Sequence, residues 1–114
     1  MKTSKNISIE INEKPLSNNI MWQGRRFKSK AYKIFEEVLL LTLPKHKTIT
    51  GDVKITYCFY LKNYKMTDID NLIKPLTDIL VKKGYIEDDR KILEAHIYKY
   101  PALKDKILVK IVKI

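Results

Sequence analysis

One cysteine in 114 residues, Cys58, rules out an intramolecular disulfide. Histidine is nearly as scarce: His46 and His96 have no second histidine or cysteine at ligand spacing, so both are read as structural. No apolar run approaches the roughly 18 residues of a membrane span, and the longest greasy patch, Val38 to Leu43, is interrupted by Thr42. The opening MKTSKNISIEINE lacks an apolar block before a small-residue cleavage site, so it does not read as a signal peptide. The expectation is a cytoplasmic protein with no membrane association. Internal repeats and low-complexity segments are also missing, and the length suits a single domain over 1–114.

Acidic residues are in short supply too, 13 against 23 lysines and arginines, which leaves a formal charge of +10. Such a body attracts polyanions, because its cations displace the counterions condensed on phosphates, and nucleic acid is the leading partner. Charge alone does not separate DNA from RNA. The plainer alternative is a lysine-rich surface that serves solubility.

The hydrophobic pattern outlines strand, helix, strand, helix, strand, strand. Ile7, Ile9 and Ile11 alternate with polar residues, predicting a strand over 5–13. Pro15, Ser17, Asn18 and Asn19 form a turn cluster, followed by the aromatic and basic stretch Trp22, Arg25, Arg26, Phe27 and Lys28. That mixture suits phosphate contact and base stacking, although each ring taken singly reads as an anchor to the core. Ser29 is placed as the N-cap of a helix ending before Pro44, with Ala31, Phe35, Val38, Leu39 and Thr42 on one side. Residues 53–62 alternate most clearly. Leu72, Ile73, Leu76, Ile79 and Leu80 then define a second helix that stops at Gly84, with Pro75 assigned to its first turn. Strands over 92–100 and 106–114 follow, expected to pair as a hairpin. The fold class is α+β: a small mixed sheet of about four strands with two helices packed against it.

Against this basic background the window Thr67 to Asp89 stands out, holding six acidic and three basic residues, a formal charge of −3, whereas the rest of the chain carries +13. Asp68 and Asp70 precede the second helix, Lys74 lies one turn into it, and Asp88 and Asp89 follow the turn that ends it. Carboxylates gathered on one patch repel unless a cation lies between them. Oxygen ligands without cysteine or paired histidine suit a hard ion, and Mg²⁺ fits best, with water and phosphate oxygens completing its shell. Alternatively, Asp68 and Asp70 cap the helix and Asp88-Asp89 form a solvated turn. The spacing alone leaves both readings open.

The order D-x-D-N-x-x-K, then D-x-L, a glycine and D-D, seen here as Asp68, Asp70, Asn71, Lys74, Asp78, Leu80, Gly84 and Asp88-Asp89, resembles the RusA family of Holliday junction resolvases. Pro15, Ser17 and Asn18 with the basic and aromatic stretch after them resemble the family more loosely. The resemblance implies a RusA-like endonuclease: a homodimer that cuts four-way DNA junctions with paired nicks in a Mg²⁺-dependent reaction, in recombination and repair. It implies Asp68, Asp70 and Asp89 as metal-binding catalytic carboxylates and Lys74 as the essential basic residue. Asp88 is a second candidate ligand, and the order of residues does not decide between it and Asp89. DNA contacts are expected from Lys74, Arg25, Arg26, Lys28 and Trp22. Two other functions fit the same residues: a non-catalytic basic nucleic-acid-binding module, and a nuclease for other branched DNA such as forks and flaps. The catalytic reading requires Asp68, Asp70 and Asp89 to converge.

Overall fold

The structure, a computed structural model, describes residues 6–23 and 27–114. Arg25 and Arg26 lie outside the described residues, as does Lys5 at the start of the first predicted strand. The main sheet has four strands in the order β1 (Asn6–Ile11), β6 (Lys106–Lys113), β4 (Val53–Leu61) and β5 (Ile92–Pro101). β6 runs antiparallel to both of its neighbours, and β4 and β5 are parallel, so the sheet is mixed as expected.

One expectation is corrected. β5 and β6 do not pair as a hairpin, because β4 lies between them. The link from β5 to β6 instead crosses the end of β4: Ala102 donates its N–H to the Leu61 carbonyl at 3.0 Å, and Asp105 accepts the Lys62 N–H at 3.0 Å. The physical reason is that β4 buries every second residue (Val53, Ile55, Tyr57, Phe59 and Leu61) and is best satisfied by partners on both edges.

Two helices cover one face of the sheet. α2 (Lys30–Thr42) is capped by Ser29, whose hydroxyl accepts the Tyr32 N–H at 3.1 Å. Its inner stripe is Tyr32, Phe35 and Leu39, continued by Leu43, so it is rotated from the expected one: Ala31 and Thr42 are exposed. The large ring of Tyr32 takes the inward position. α3 (Ile73–Lys83) buries Leu76, Ile79 and Leu80 and ends on Gly84 at φ 90°, a left-handed turn that penalises any side chain. Full burial of one such leucine or isoleucine stabilises the fold by about 1.5–3 kcal/mol relative to exposure. Pro75 is the third residue of α3, where its missing N–H removes nothing from the helical ladder, in agreement with its assignment to the first turn.

The N-terminal turn cluster contains a short helix, α1 (Asn18–Met21), with Ser17 accepting the Asn19 N–H. β2 (Trp22–Gln23) and β3 (Phe27–Lys28) form a small separate antiparallel pair. The residue that anchors this region is neither of the expected rings. Trp22 and Phe27 are 42% and 70% exposed, whereas Met21 is fully buried.

Candidate active site

The strand β4 delivers the chain to two 3-10 turns, Tyr64–Met66 and Ile69–Leu72, and the second leads directly into α3. Asp68 stands at the N-cap of that second turn, yet its side chain makes no capping bond, and Asp70 lies within the turn. Both carboxylates are exposed. The alternative in which Asp68 and Asp70 serve as helix caps therefore loses its support: the residue preceding α3 is Leu72, which has no capping side chain. What holds the segment in place is its flanks. Leu72 is buried in the core, and the ammonium of Lys99 on β5 donates to the Thr67 carbonyl at 2.7 Å.

On α3, the Lys74 ammonium bonds Asp78 Oδ1 at 2.9 Å, the four-residue spacing turning both side chains to one edge. This bond raises the Lys74 pKa, opposed by partial burial and reinforced by the charges of Asp78 and Asp89. Lys74 thus keeps its charge while remaining half exposed and free to meet a substrate.

The acidic turn after Gly84 returns to the same edge. Asp88 caps the 3-10 turn Asp89–Lys91, accepts the Arg90 N–H at 3.1 Å and pairs with the Arg90 guanidinium at 3.1 Å, which holds its carboxyl well below the usual range. Asp89 is affected in the opposite direction. Its hydrogen bond with Asp88 raises its pKa, helped by some loss of hydration, by the Asp88 charge and by Asp78, while Lys74 pulls it down. Of the two neighbours, Asp88 is engaged by its own turn and Asp89 is the one in electrostatic contact with Lys74 and Asp78. The order of residues alone left that distinction open.

Beneath this edge lies a buried crosslink that no motif signalled. The Tyr57 hydroxyl of β4 and the Thr77 hydroxyl of α3 meet at 2.5 Å, with Tyr57 1% and Thr77 5% exposed. Burial drives the Tyr57 phenol up to about 12, with Thr77 opposing and Asp89 adding to the rise. The available signal was weak: a tyrosine on the inward face of β4 and a threonine on the apolar face of a helix.

The carboxylates do not form a closed cage. Among the described residues, no three histidine, cysteine, aspartate or glutamate side chains form a group able to hold a metal. The expected convergence of Asp68, Asp70 and Asp89 into a ready-made three-ligand site is thus not seen; Asp89 interacts with Asp88 and with Asp78, and Asp68 and Asp70 begin the adjacent turn. The donor set is nonetheless all oxygen, and Asp88 and Asp89 sit close enough to share a hydrogen bond. Two such carboxylates are compatible side by side when a proton or a cation lies between them. An open site of this kind fits an ion that takes one or two carboxylates and draws the rest of its shell from water and phosphate.

A cleft of about 510 Å³ joins the acidic segment to the N-terminal region: Asp68, Asn71 and Leu72 form one wall, and Pro15, Ser17 and Ile20 another. Of the residues expected to contact DNA, Lys28 lies over the Tyr32 and Trp22 rings, at 4.5 and 5.7 Å from their centroids, and Trp22 is exposed beside it.

Fold and site together define an α+β domain whose acidic edge stands on an otherwise basic body. The chain belongs to the RusA family, since the family model described as Endodeoxyribonuclease RusA matches residues 13–112. It is also similar to a curated protein of Aquifex aeolicus (strain VF5), Crossover junction endodeoxyribonuclease RusA, at 32% identity over 68 residues. That match covers 59% of this chain and 54% of the relative's length, so the chain spans about half of the relative it matches.

Proposed function

We propose that this protein is a structure-selective endodeoxyribonuclease that resolves four-way DNA junctions by paired nicks, acting as a homodimer in the cytoplasm. The observation that carries the proposal is the approach of Asp89 to the Lys74-Asp78 pair at the edge of α3, beside the turn bearing Asp68 and Asp70. Family membership supports the same reading. The protein is at the same time strongly basic, at +10, which suits a branched polyanion.

In this reading Mg²⁺ would be held by Asp68, Asp70 and Asp89, which form no closed cage without the ion and would be drawn together by it and the substrate phosphate, with Asp88 beside Asp89. The chemistry such an ion would supply is activation of water and stabilisation of the charge that builds at phosphorus. The residues of the chain do the rest. Lys74, held cationic by Asp78, balances negative charge on the phosphoryl oxygens and orients the backbone at the edge of the helix. Lys28 and the exposed ring of Trp22 contact the strand across the cleft. Arg25 and Arg26, close to Lys28 in the sequence, are assigned to the same DNA contact. Two equivalent sites on a symmetric dimer meet two equivalent strands of a junction, which permits both incisions in one encounter.

The test is a synthetic four-way junction incubated with the protein and Mg²⁺. Paired nicks are expected from the parent, and Asp70→Asn is expected to bind the junction without cutting it. If Asp70→Asn cuts as fast as the parent, the mechanism is wrong. Binding without cleavage in any divalent ion would identify a non-catalytic binding module, and faster cutting of forks or flaps would redirect the substrate assignment.

A further inference from the structure

The helices cover only one face of the main sheet, and the residues of the other face fall into rows set by the strand register. Tyr100, Tyr60 and Lys106 stand side by side across β5, β4 and β6, and Tyr98 lies one step along on β5. The rings of Tyr60 and Tyr100 stack with centroids 5.1 Å apart, and those of Tyr98 and Tyr100 are 6.1 Å apart and 11° from parallel. The Lys106 ammonium lies over Tyr60 at 5.2 Å. These are not core rings. Tyr98 and Tyr100 are 44% and 38% exposed, and the sheet's buried side chains all point to the opposite face.

We infer that this open sheet face is a second nucleic-acid surface, which binds unpaired nucleotides by stacking their bases on the Tyr60-Tyr100-Tyr98 row, while Lys106 and Lys110 meet the phosphates. The make-up of the face favours this occupant. A row of exposed, near-parallel aromatic rings on a sheet offers π-faces to bases, and only unpaired bases have a free face to give. The cation at the end of the row is already placed beside a ring, where a phosphate following a stacked base would lie. Of the acidic groups near this face, Glu94, at the far end of β5, is bonded by His96 at 2.5 Å, whereas Glu10 and Asp105 border Tyr60 and Lys106, with Asp105 accepting the Lys62 N–H and Lys104 and Lys106 beside them. The tyrosine phenols are neutral at physiological pH and do not repel phosphate. Across the remainder Lys54, Thr56 and Lys110 are interspersed with Cys58, Leu108 and Val112, and the lysines oppose a dry contact with a second copy. The surface goes beyond the junction-cutting reading and involves none of its acidic side chains.

The experiment is fluorescence anisotropy of a labelled oligothymidylate of about 12 nucleotides, within the span such surfaces cover, with EDTA present so that cleavage plays no part. Tyr98→Ala and Tyr100→Ala are each expected to weaken binding by about 5- to 150-fold, whereas Tyr98→Phe and Tyr100→Phe bind as the parent does. A blunt duplex is expected to show no such difference between parent and variants. Lys106→Gln is expected to lower the salt slope of log Kd by about one unit. Alanine variants that bind as tightly as the parent would overturn the inference. So would sedimentation showing that Tyr98→Ala turns a dimer into monomers, because the face would then be a subunit contact. Should an alanine variant unfold, ultraviolet crosslinking of the parent to an iodouridine oligonucleotide decides: adducts are expected on Tyr98 or Tyr100, and adducts confined to other residues would overturn it.

Discussion

The crosslink between Tyr57 and Thr77 ties the central strand to the helix that carries Lys74 and Asp78, and its worth is measurable by a double-mutant cycle. Thr77→Val keeps the shape and deletes one hydroxyl, leaving the Tyr57 hydroxyl in a site only 1% exposed with no partner in its place. An orphaned buried group of this kind costs about 1–3 kcal/mol. Tyr57→Phe leaves the Thr77 hydroxyl instead, which a helix carbonyl one turn back satisfies at small cost, so about 1 kcal/mol is expected. The double variant replaces both hydroxyls by apolar surface and strands nothing. Its loss is expected to fall below the sum of the single losses by roughly 1–2 kcal/mol. Equilibrium unfolding in guanidinium chloride measures all four proteins, and an unchanged m-value shows that the comparison is like for like. Strict additivity would refute the bond. With it would fall the argument that this contact fixes the edge of α3 against the sheet.

Three further outcomes follow from the same geometry. Lys74→Gln removes an ion pair that is half exposed, so unfolding stability is expected to change by less than about 0.5 kcal/mol while junction cleavage is lost; a large stability loss would make Lys74 structural. Asp88→Asn removes the neighbour whose hydrogen bond and charge raise the Asp89 pKa, so carboxyl NMR titration without metal is expected to show Asp89 titrating at lower pH than in the parent; no movement, or an upward one, refutes the coupling. Tyr57 ionises at about 12 in the folded chain against 10.0 ordinarily, so the unfolded chain loses this proton first. Stability from this group is complete below pH 10 and falls as pH rises toward 12, by roughly 3 kcal/mol at most, a loss that Tyr57→Phe is expected to lack in unfolding measured against pH.

Periodicity made most of the fold legible. Alternation in β1 and β4 comes from one buried sheet face, and the stop at Gly84 from a backbone angle that side chains resist. Those are local facts written into neighbouring residues. Local preference was a poor guide where partners come from a distance. The final two strands look like a hairpin by spacing, but β4 has two edges to satisfy and takes one on each side. Tyr32 was missed as a core residue because tyrosine also suits a surface, and Trp22 and Phe27 were expected inside because large rings usually are; Met21 fills that space instead.

For the candidate site the division is similar. Composition and spacing alone determined that an acidic window sits on a basic chain, which residues compose it and that their donors suit a hard cation, because charge and ligand type are properties of the residues themselves. Only the tertiary structure decided that Asp89 faces Lys74 and Asp78 while Asp88 is held by Arg90, that Asp68 and Asp70 are not spent on capping, and that no three carboxylates close into a cage among the described residues. The reason is that α3 and the turn after it fold back across the sheet, and the direction of each side chain depends on that return rather than on its neighbours in the chain.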